Sequence, residues 1–257
     1  TALAWTPPPL PSESMSRLLT DAELTPAADS GVPPAVDPVT AAWVRANARP
    51  IRSLGAHDFS DLAFLRPLLD GKRIVQLGES GHGVREFNLA KVRLIKYLHE
   101  ALGYDVLAFE SSLFGCDRAG RDAPALTAMQ LMRGCIFGVW HTEEVLALFE
   151  YVLATQRTPR PLILTGFDVQ PSGAADTLRA AFLSRVVAAL DTAYATRVQT
   201  MDRALRGATA SATPENTVRE RLASFYDSLA TWFGANEERL SASYPDARVT
   251  AMARQTA

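Results

Sequence analysis

The sequence predicts an α/β protein, a parallel sheet core flanked by helices with a helical subdomain after the third strand. Three observations carry this expectation. Short apolar runs recur between glycines and prolines, as in Arg73-Ile74-Val75-Gln76-Leu77-Gly78. These runs alternate with longer segments of helical spacing. From Ala174 onward the chain is rich in Ala, Leu and Arg and offers no further strand candidate. The runs are continuously apolar rather than alternating, which is the pattern of strands buried on both faces of a parallel sheet.

The elements follow in order. Residues 1–38 are rich in Pro, Ser, Asp and Ala and read as an N-terminal arm. Pro38–Ala48 has helical spacing with Ala41, Val44 and Ala48 on one side, and Asp58–Leu69 reads as a second short amphipathic helix. The first strand is Arg73–Gly78. A helix over Val84–Leu102 follows, closed by Gly103. Asp105–Phe109 is the second strand, residues 123–134 and 142–157 are helices, and Pro161–Phe167 is the third strand. The domain division is then an arm (1–38), the first part of an α/β core (39–173) and a helical subdomain (174–257). Sheets usually have about five strands, and the chain stops inside a helical pattern, so further core strands are expected after residue 257.

Composition excludes several classes. With 257 residues, 47% hydrophobic and 21% charged, the chain can bury a core and is not disordered throughout. No run approaches the roughly 20 apolar residues of a membrane helix. With 26 basic against 28 acidic residues, neither nucleic acid nor an anionic membrane is an expected partner. Cys116 and Cys135 read as buried free thiols, and their spacing does not decide whether they pair. The expected compartment is the cytoplasm. The small-residue start Thr1-Ala2-Leu3-Ala4, which opens without Met, leaves export open.

Ligands of parallel sheets bind at the carboxyl ends of the strands. Three acids fall there: Glu79, Glu110 and Asp168. A carboxylate at one strand end is often a helix cap or loop anchor. Three at equivalent positions suggest a site, because burying them together is costly without compensation. The densest segment is Gly78-Glu79-Ser80-Gly81-His82-Gly83-Val84-Arg85-Glu86-Phe87. A helix start lowers the pKa of a nearby histidine, so His82 is a candidate neutral base, with Glu79 three residues away to orient it. Ser80 stands in a near match to the G-x-S-x-G elbow, but His82 occupies the last glycine position. Lys91 falls on the apolar stripe of the 84–102 helix (Phe87, Leu94, Ile95, Leu98, Leu102) and could face the acids or a substrate oxygen. Arg85 and Arg133 are candidate anion contacts, and Trp140 could line a pocket ahead of a helix capped by Thr142. His57 and His99 read as surface or loop residues.

Together these residues resemble the erythromycin esterase family. The resemblance runs from about Ala41 to Gln170 and rests first on Leu77-Gly78-Glu79-Ser80-Gly81-His82-Gly83 with Glu86-Phe87. Ala48-Arg49-Pro50-Ile51, Leu102-Gly103-Tyr104, Phe109-Glu110-Ser111, Trp140-His141-Thr142-Glu143 and Gly166-Phe167-Asp168 extend it. The resemblance implies an α/β core with a helical subdomain and hydrolysis of a carboxylic ester, a macrolide lactone in the best-known members. It also implies that His82 is the base that activates water and that Glu79 and Glu110 belong to the same site. Two features depart from the family pattern. Gly81 stands where threonine is usual, and the family's second histidine motif would lie beyond residue 257.

The expected function is therefore a carboxylic ester hydrolase acting through water activated by His82. Glu79 and Glu110 would share the catalytic site, and Lys91 or Arg85 would stabilise the oxyanion. Ser80, Arg133, Trp140 and Asp168 complete the candidate substrate contacts. The expected partner is a small-molecule ester, with no cofactor required. The acids and His82 could also hold a divalent cation. The alternative is a haem- or metal-ion-binding protein on the same fold.

Overall fold

The computed structural model describes residues 37–79, 81–208 and 216–256, with side chains left out for 205–208. The expected N-terminal arm therefore lies almost wholly outside the described residues, as does Ser80. The chain divides into two units, residues 1–50 and 51–257. In the first, helix α1 (Pro38–Asn47) starts at Asp37, whose carboxylate accepts the Thr40 N–H at 2.8 Å. None of its residues is buried.

The second unit is mostly helical, with one small parallel sheet of two strands, β1 (Val106–Ser112) and β2 (Ile163–Asp168). This corrects the expected fold class: among the described residues there is no three-stranded core with a subdomain following the third strand. Arg73–Gly78 is not a strand. The run is apolar in composition, but a strand exists only where a neighbour completes its backbone hydrogen bonds, and Ile74 is 79% exposed. The two strands that do form pair in register, Val106 opposite Ile163 and Phe109 opposite Gly166. Among the described residues, one face of this sheet is covered and the other is open. Leu107 and Phe109 pack into the core, where Phe109 stacks on Phe149 at 5.7 Å, while Val106, Ile163 and Phe167 stay exposed. An apolar run thus did not imply burial on both faces.

Between Phe109 and Ser112 the register slips by one residue, since Ser112 pairs with Asp168. The β1 backbone presses onto β2 at this bulge. A Cβ on Gly166 would lie 2.3 Å from the Ser111 carbonyl oxygen, so only glycine fits there.

The expected 58–69 helix is broken into a turn at Ser60–Leu62 and the short α2 (Leu65–Leu68). Pro67 supplies no N–H and cannot extend a preceding turn. Helix α3 (Arg85–Leu102) is closed by Gly103. Its buried side overlaps the stripe read from sequence only in part: Ile95 and Leu98 are buried, but Phe87 is 44% exposed, and Asn88, Val92, Arg93, Tyr97 and His99, which lie off the stripe, are buried as well. Helix α4 (Leu113–Asp122) had no sequence counterpart. Its two glycines each cost about 1 kcal/mol of helix propensity. Gly120 is needed because a Cβ there would meet the Leu164 carbonyl oxygen at 2.7 Å. Helix α5 (Ala128–Cys135) has a capping box between Thr127 and Gln130, and α6 (Glu143–Thr155) is capped by Thr142.

The core of this region joins α3 to α6 with both strands, through Val92, Ile95, Leu131, Met132, Leu148, Phe149 and Leu164. Cys116 and Cys135 are joined as a disulfide inside it, linking α4 to α5. The expectation of free thiols is corrected accordingly, because packing brings together two cysteines whose spacing says nothing of their partner.

A second core forms where α7 (Arg179–Ala188), α8 (Thr192–Ala208), α9 (Asn216–Ala235), α10 (Glu237–Ser243) and α11 (Ala247–Thr256) meet around Leu183, Val198, Leu229, Phe233 and Ala253. Arg179, Asp202 and Tyr226 form a polar knot in it. The buried Asp202 carboxylate accepts from Arg179 at 2.6 Å and from the Tyr226 hydroxyl at 2.7 Å. No described helix is long and apolar enough to cross a membrane.

Candidate functional site

Two buried locks hold α3, one to the start of this unit and one to α6 and the approach to β2. The Arg93 guanidinium pairs with Asp61 and donates to the Asp58 carbonyl at 2.7 Å and the Ala56 carbonyl at 3.3 Å. Hydrogen bonding from Arg93 draws the Asp61 carboxyl down to about 2. At the far end of α3, His99 is buried rather than on the surface. Its Nε2–H donates to the Arg160 carbonyl at 3.1 Å, and its Nδ1 then accepts from the Tyr151 hydroxyl at 2.6 Å. Held at Arg93 and at His99, α3 brings Lys91 of its first half up to Glu79.

There Glu79 accepts two hydrogen bonds on one oxygen. The indole Nε1–H of Trp140 donates to its Oε1 at 2.8 Å, and Nδ1 of His82 lies 3.1 Å from the same oxygen. Lys91 Nζ stands 3.9 Å from it. Burial raises the Glu79 pKa, but the bonds from Trp140 and His82 and the Lys91 charge outweigh it and leave the carboxyl below its ordinary value. A carboxylate can only accept, so His82 carries its proton on Nδ1 and its Nε2 lone pair points away from Glu79. The His82 side chain is 59% exposed against 17% for Glu79. The imidazole also meets the Trp140 ring edge-on at 5.5 Å. The arrangement is a held carboxylate behind an accessible imidazole, a geometry suited, in the neutral form of the ring, to taking a proton from water.

Sequence-named residues divide between this cluster and other surroundings. His82, Lys91 and Trp140 gather around Glu79, and His82 also meets Trp140. Trp140 is buried and serves as a donor rather than a pocket wall open to solvent. Arg85 is engaged with Glu144 at 3.0 Å. The Glu144 pKa is lowered first by its own backbone N–H, against desolvation, and further by the Thr142 hydroxyl and Arg85. Glu110 is exposed on the open face of β1 and makes no hydrogen bond or ion pair with Glu79 or His82. Asp168 caps the turn after β2 by accepting the Gln170 N–H at 2.9 Å. Arg133 is exposed on α5. Asn88 was not singled out from the sequence. It is buried on α3 and its amide reaches the Thr142 hydroxyl at 3.4 Å, joining the site's two helices. Among the described residues, no group of three or more His, Cys, Asp or Glu side chains is placed to hold a metal ion.

Fold and site define a helix-rich protein with a parallel β–α–β unit and a carboxylate–imidazole pair before the first long helix. The chain belongs to the erythromycin esterase family, whose model matches residues 99–256, more than half of the sequence. Glu79, His82 and Lys91 precede the matched stretch. The chain is 49% identical over 128 residues to "Putative hydrolase YbfO" of Bacillus subtilis (strain 168), a match covering 50% of this chain and 28% of that protein. Solved structures share the fold, among them these two. One is a succinoglycan biosynthesis protein, with TM-score 0.62 and 17% identity over 83% of this chain and 54% of the other. The other is a mutant of the erythromycin esterase EreC in its open conformation, with TM-score 0.56 and 21% identity over 76% of this chain and 50% of the other. The chain thus spans about half the length of these solved relatives.

Proposed function

We propose that this chain carries the general-base part of an ester hydrolase and that His82 activates the attacking water. The observation that supports this most directly is the 3.1 Å contact between His82 Nδ1 and Glu79 Oε1. It sets the tautomer that leaves Nε2 as a base. In the proposed reaction a water attacks the ester carbonyl carbon while Nε2 takes one of its protons. The carbonyl oxygen becomes the oxyanion of a tetrahedral intermediate. The imidazolium then returns the proton to the departing alkoxide, and the products are a carboxylic acid and an alcohol. Glu79 stabilises the transient imidazolium. Lys91, near Glu79 and not locked in a short ion pair, is the cation proposed for the oxyanion. Arg85 is less suited because Glu144 already holds it.

The substrate class proposed is a carboxylic ester, with a macrolide lactone as the specific candidate. Family membership and the relative named a hydrolase support the first, and the erythromycin esterase among the solved relatives motivates the second. Glu110 and Asp168, exposed or half-exposed near the carboxyl ends of β1 and β2, are proposed to face the substrate rather than the base. The test is incubation of the full chain with macrolides and simple carboxylic esters, with mass detection of a ring-opened or hydrolysed product gaining one water. A haem- or metal-binding role has no specific observation in its favour.

A further inference from the structure

The indole of Trp140 touches both members of the proposed catalytic pair. Its Nε1–H donates to Glu79 Oε1 at 2.8 Å, and its ring lies edge-on to the His82 imidazole at 5.5 Å. Trp140 is buried at the end of the short turn Gly138–Trp140, just ahead of the α6 cap Thr142, so its position is set by that turn and helix start. Glu79 has no such support of its own. It sits in an irregular segment, outside any helix or strand, and among the described residues its carboxylate is held by Trp140, His82 and Lys91. Of these, His82 is the more exposed partner, and Lys91 stands at 3.9 Å, beyond ordinary hydrogen-bond length. The indole is the one neutral, buried donor.

We infer that Trp140 is a positioning residue: its indole N–H pins the Glu79 carboxylate against His82 and thereby sets the tautomer and basicity of the imidazole. The inference rests on the reading of His82 as the base, and it adds a residue whose action is exerted through Glu79. A phenylalanine in its place keeps the ring and loses the donor. Glu79 then rotates toward water, its contact with His82 weakens, and the imidazolium loses its partner. Among the described residues, the titratable and charged groups on the flanking elements include Lys91, Arg85 and Glu86 on α3, His141 beside Trp140, and Glu143 and Glu144 on α6, with Arg85 and Glu144 paired and the His141 ring on the Ile136 carbonyl. None of them replaces a donor on Glu79 Oε1 from the Trp140 side.

The experiment is an NMR titration of the His82 ring protons in the full chain, for the parent, Trp140→Phe, Glu79→Gln and the double variant. Trp140→Phe is expected to lower the His82 pKa by roughly half a unit to one unit, in the direction of the larger fall in Glu79→Gln. In the Glu79→Gln background the same change should have no further effect. Where an ester is turned over, kcat should fall about tenfold with KM unchanged, as expected for a misoriented group. A tryptophan that merely fills the core would lower the melting temperature and leave His82 titrating as in the parent. That result overturns the inference, and so does a rise in the His82 pKa, which would mean that the indole drains charge from Glu79 without positioning it. Should Trp140→Phe fail to fold, the contact is read in the native protein. Indole emission should change as His82 protonates and lose that change in His82→Asn, and emission with the same pH dependence in both would overturn the inference. The titrations require no turnover. An inactive protein with the expected shifts removes the hydrolase reading alone, and an active one without them removes the positioning role alone.

Discussion

Glu79 and His82, three residues apart, meet through a single oxygen and a single ring nitrogen, Oε1 and Nδ1 at 3.1 Å. The geometry puts the carboxylate on Nδ1 and leaves Nε2 outside that contact, on a side chain that is 59% exposed. An imidazolium is stabilised by that carboxylate, so its neutral replacement has a definite sign. Glu79→Gln should lower the His82 pKa, and the acidic limb of the kcat/KM profile should move to lower pH. The same titration followed by NMR should move in step. A limb that stays in place would show that Glu79 does not tune the base.

Lys91 tests the oxyanion assignment separately from the base. Lys91→Met keeps much of the stem and removes the charge. It should lower kcat by roughly 10²–10³, in the range seen for loss of an oxyanion donor, while leaving the shape of the acidic limb dominated by His82. Lys91→Arg should recover part of the loss. Equal loss in both variants would place the role of Lys91 in packing.

The Arg93–Asp61 pair is expected to contribute to acid stability. Because the Asp61 carboxyl is held down to about 2 in the folded chain, its contribution is fully present above the unfolded value of about 3.9. It is lost as pH falls through the interval down to the folded value. Melting temperatures measured from pH 6 to pH 2 should fall steeply below pH 4 in the parent. Asp61→Asn should start lower at neutral pH and fall less over the same interval, since the titrating group is gone. Parallel curves for the two proteins would contradict this.

Gly166 tests the close approach of the two strands. Alanine there places a Cβ 2.3 Å from the Ser111 carbonyl oxygen and 2.4 Å from that of Ser112. Backbone must move, so the loss should equal or exceed the roughly 1–3 kcal/mol typical of overpacking. Gly138→Ala, with nothing within 4 Å of the added atom, is the control and should change stability by less than about 0.5 kcal/mol. Chemical denaturation of the two variants decides the point.

Local signals were readable where the chain alone determines the outcome. The runs at 105–109 and 161–167 lie within or across β1 and β2, and Gly103 closes α3 as its position implies. Thr142 caps α6, as a threonine ahead of Glu143 should. What failed depended on partners distant in sequence. Ile74 and Val75 are as apolar as β1 residues, yet composition does not reveal whether a neighbouring strand is present. Helix α4 was hidden by Gly115 and Gly120, whose purpose appears only when β2 and the segment around Asp176 lie against them. His99 looked like a surface residue because neither Tyr151 nor Arg160 is near it in sequence. At the site, the 79–82 spacing made an imidazole–carboxylate contact conceivable. The indole donor on Glu79 comes from 61 residues further on, and nothing local to either residue signals it.

The central claim is that His82 takes a proton from the attacking water, and His82→Ala measured by kcat on a hydrolysed ester tests it most directly. The side chain is more than half exposed, 59%, so its removal should shift the melting temperature by less than about 2 °C. The account predicts a folded protein with kcat lower by roughly 10²–10⁴, the usual contribution of a general base. A folded His82→Ala protein that turns over the ester at the parental kcat would contradict it.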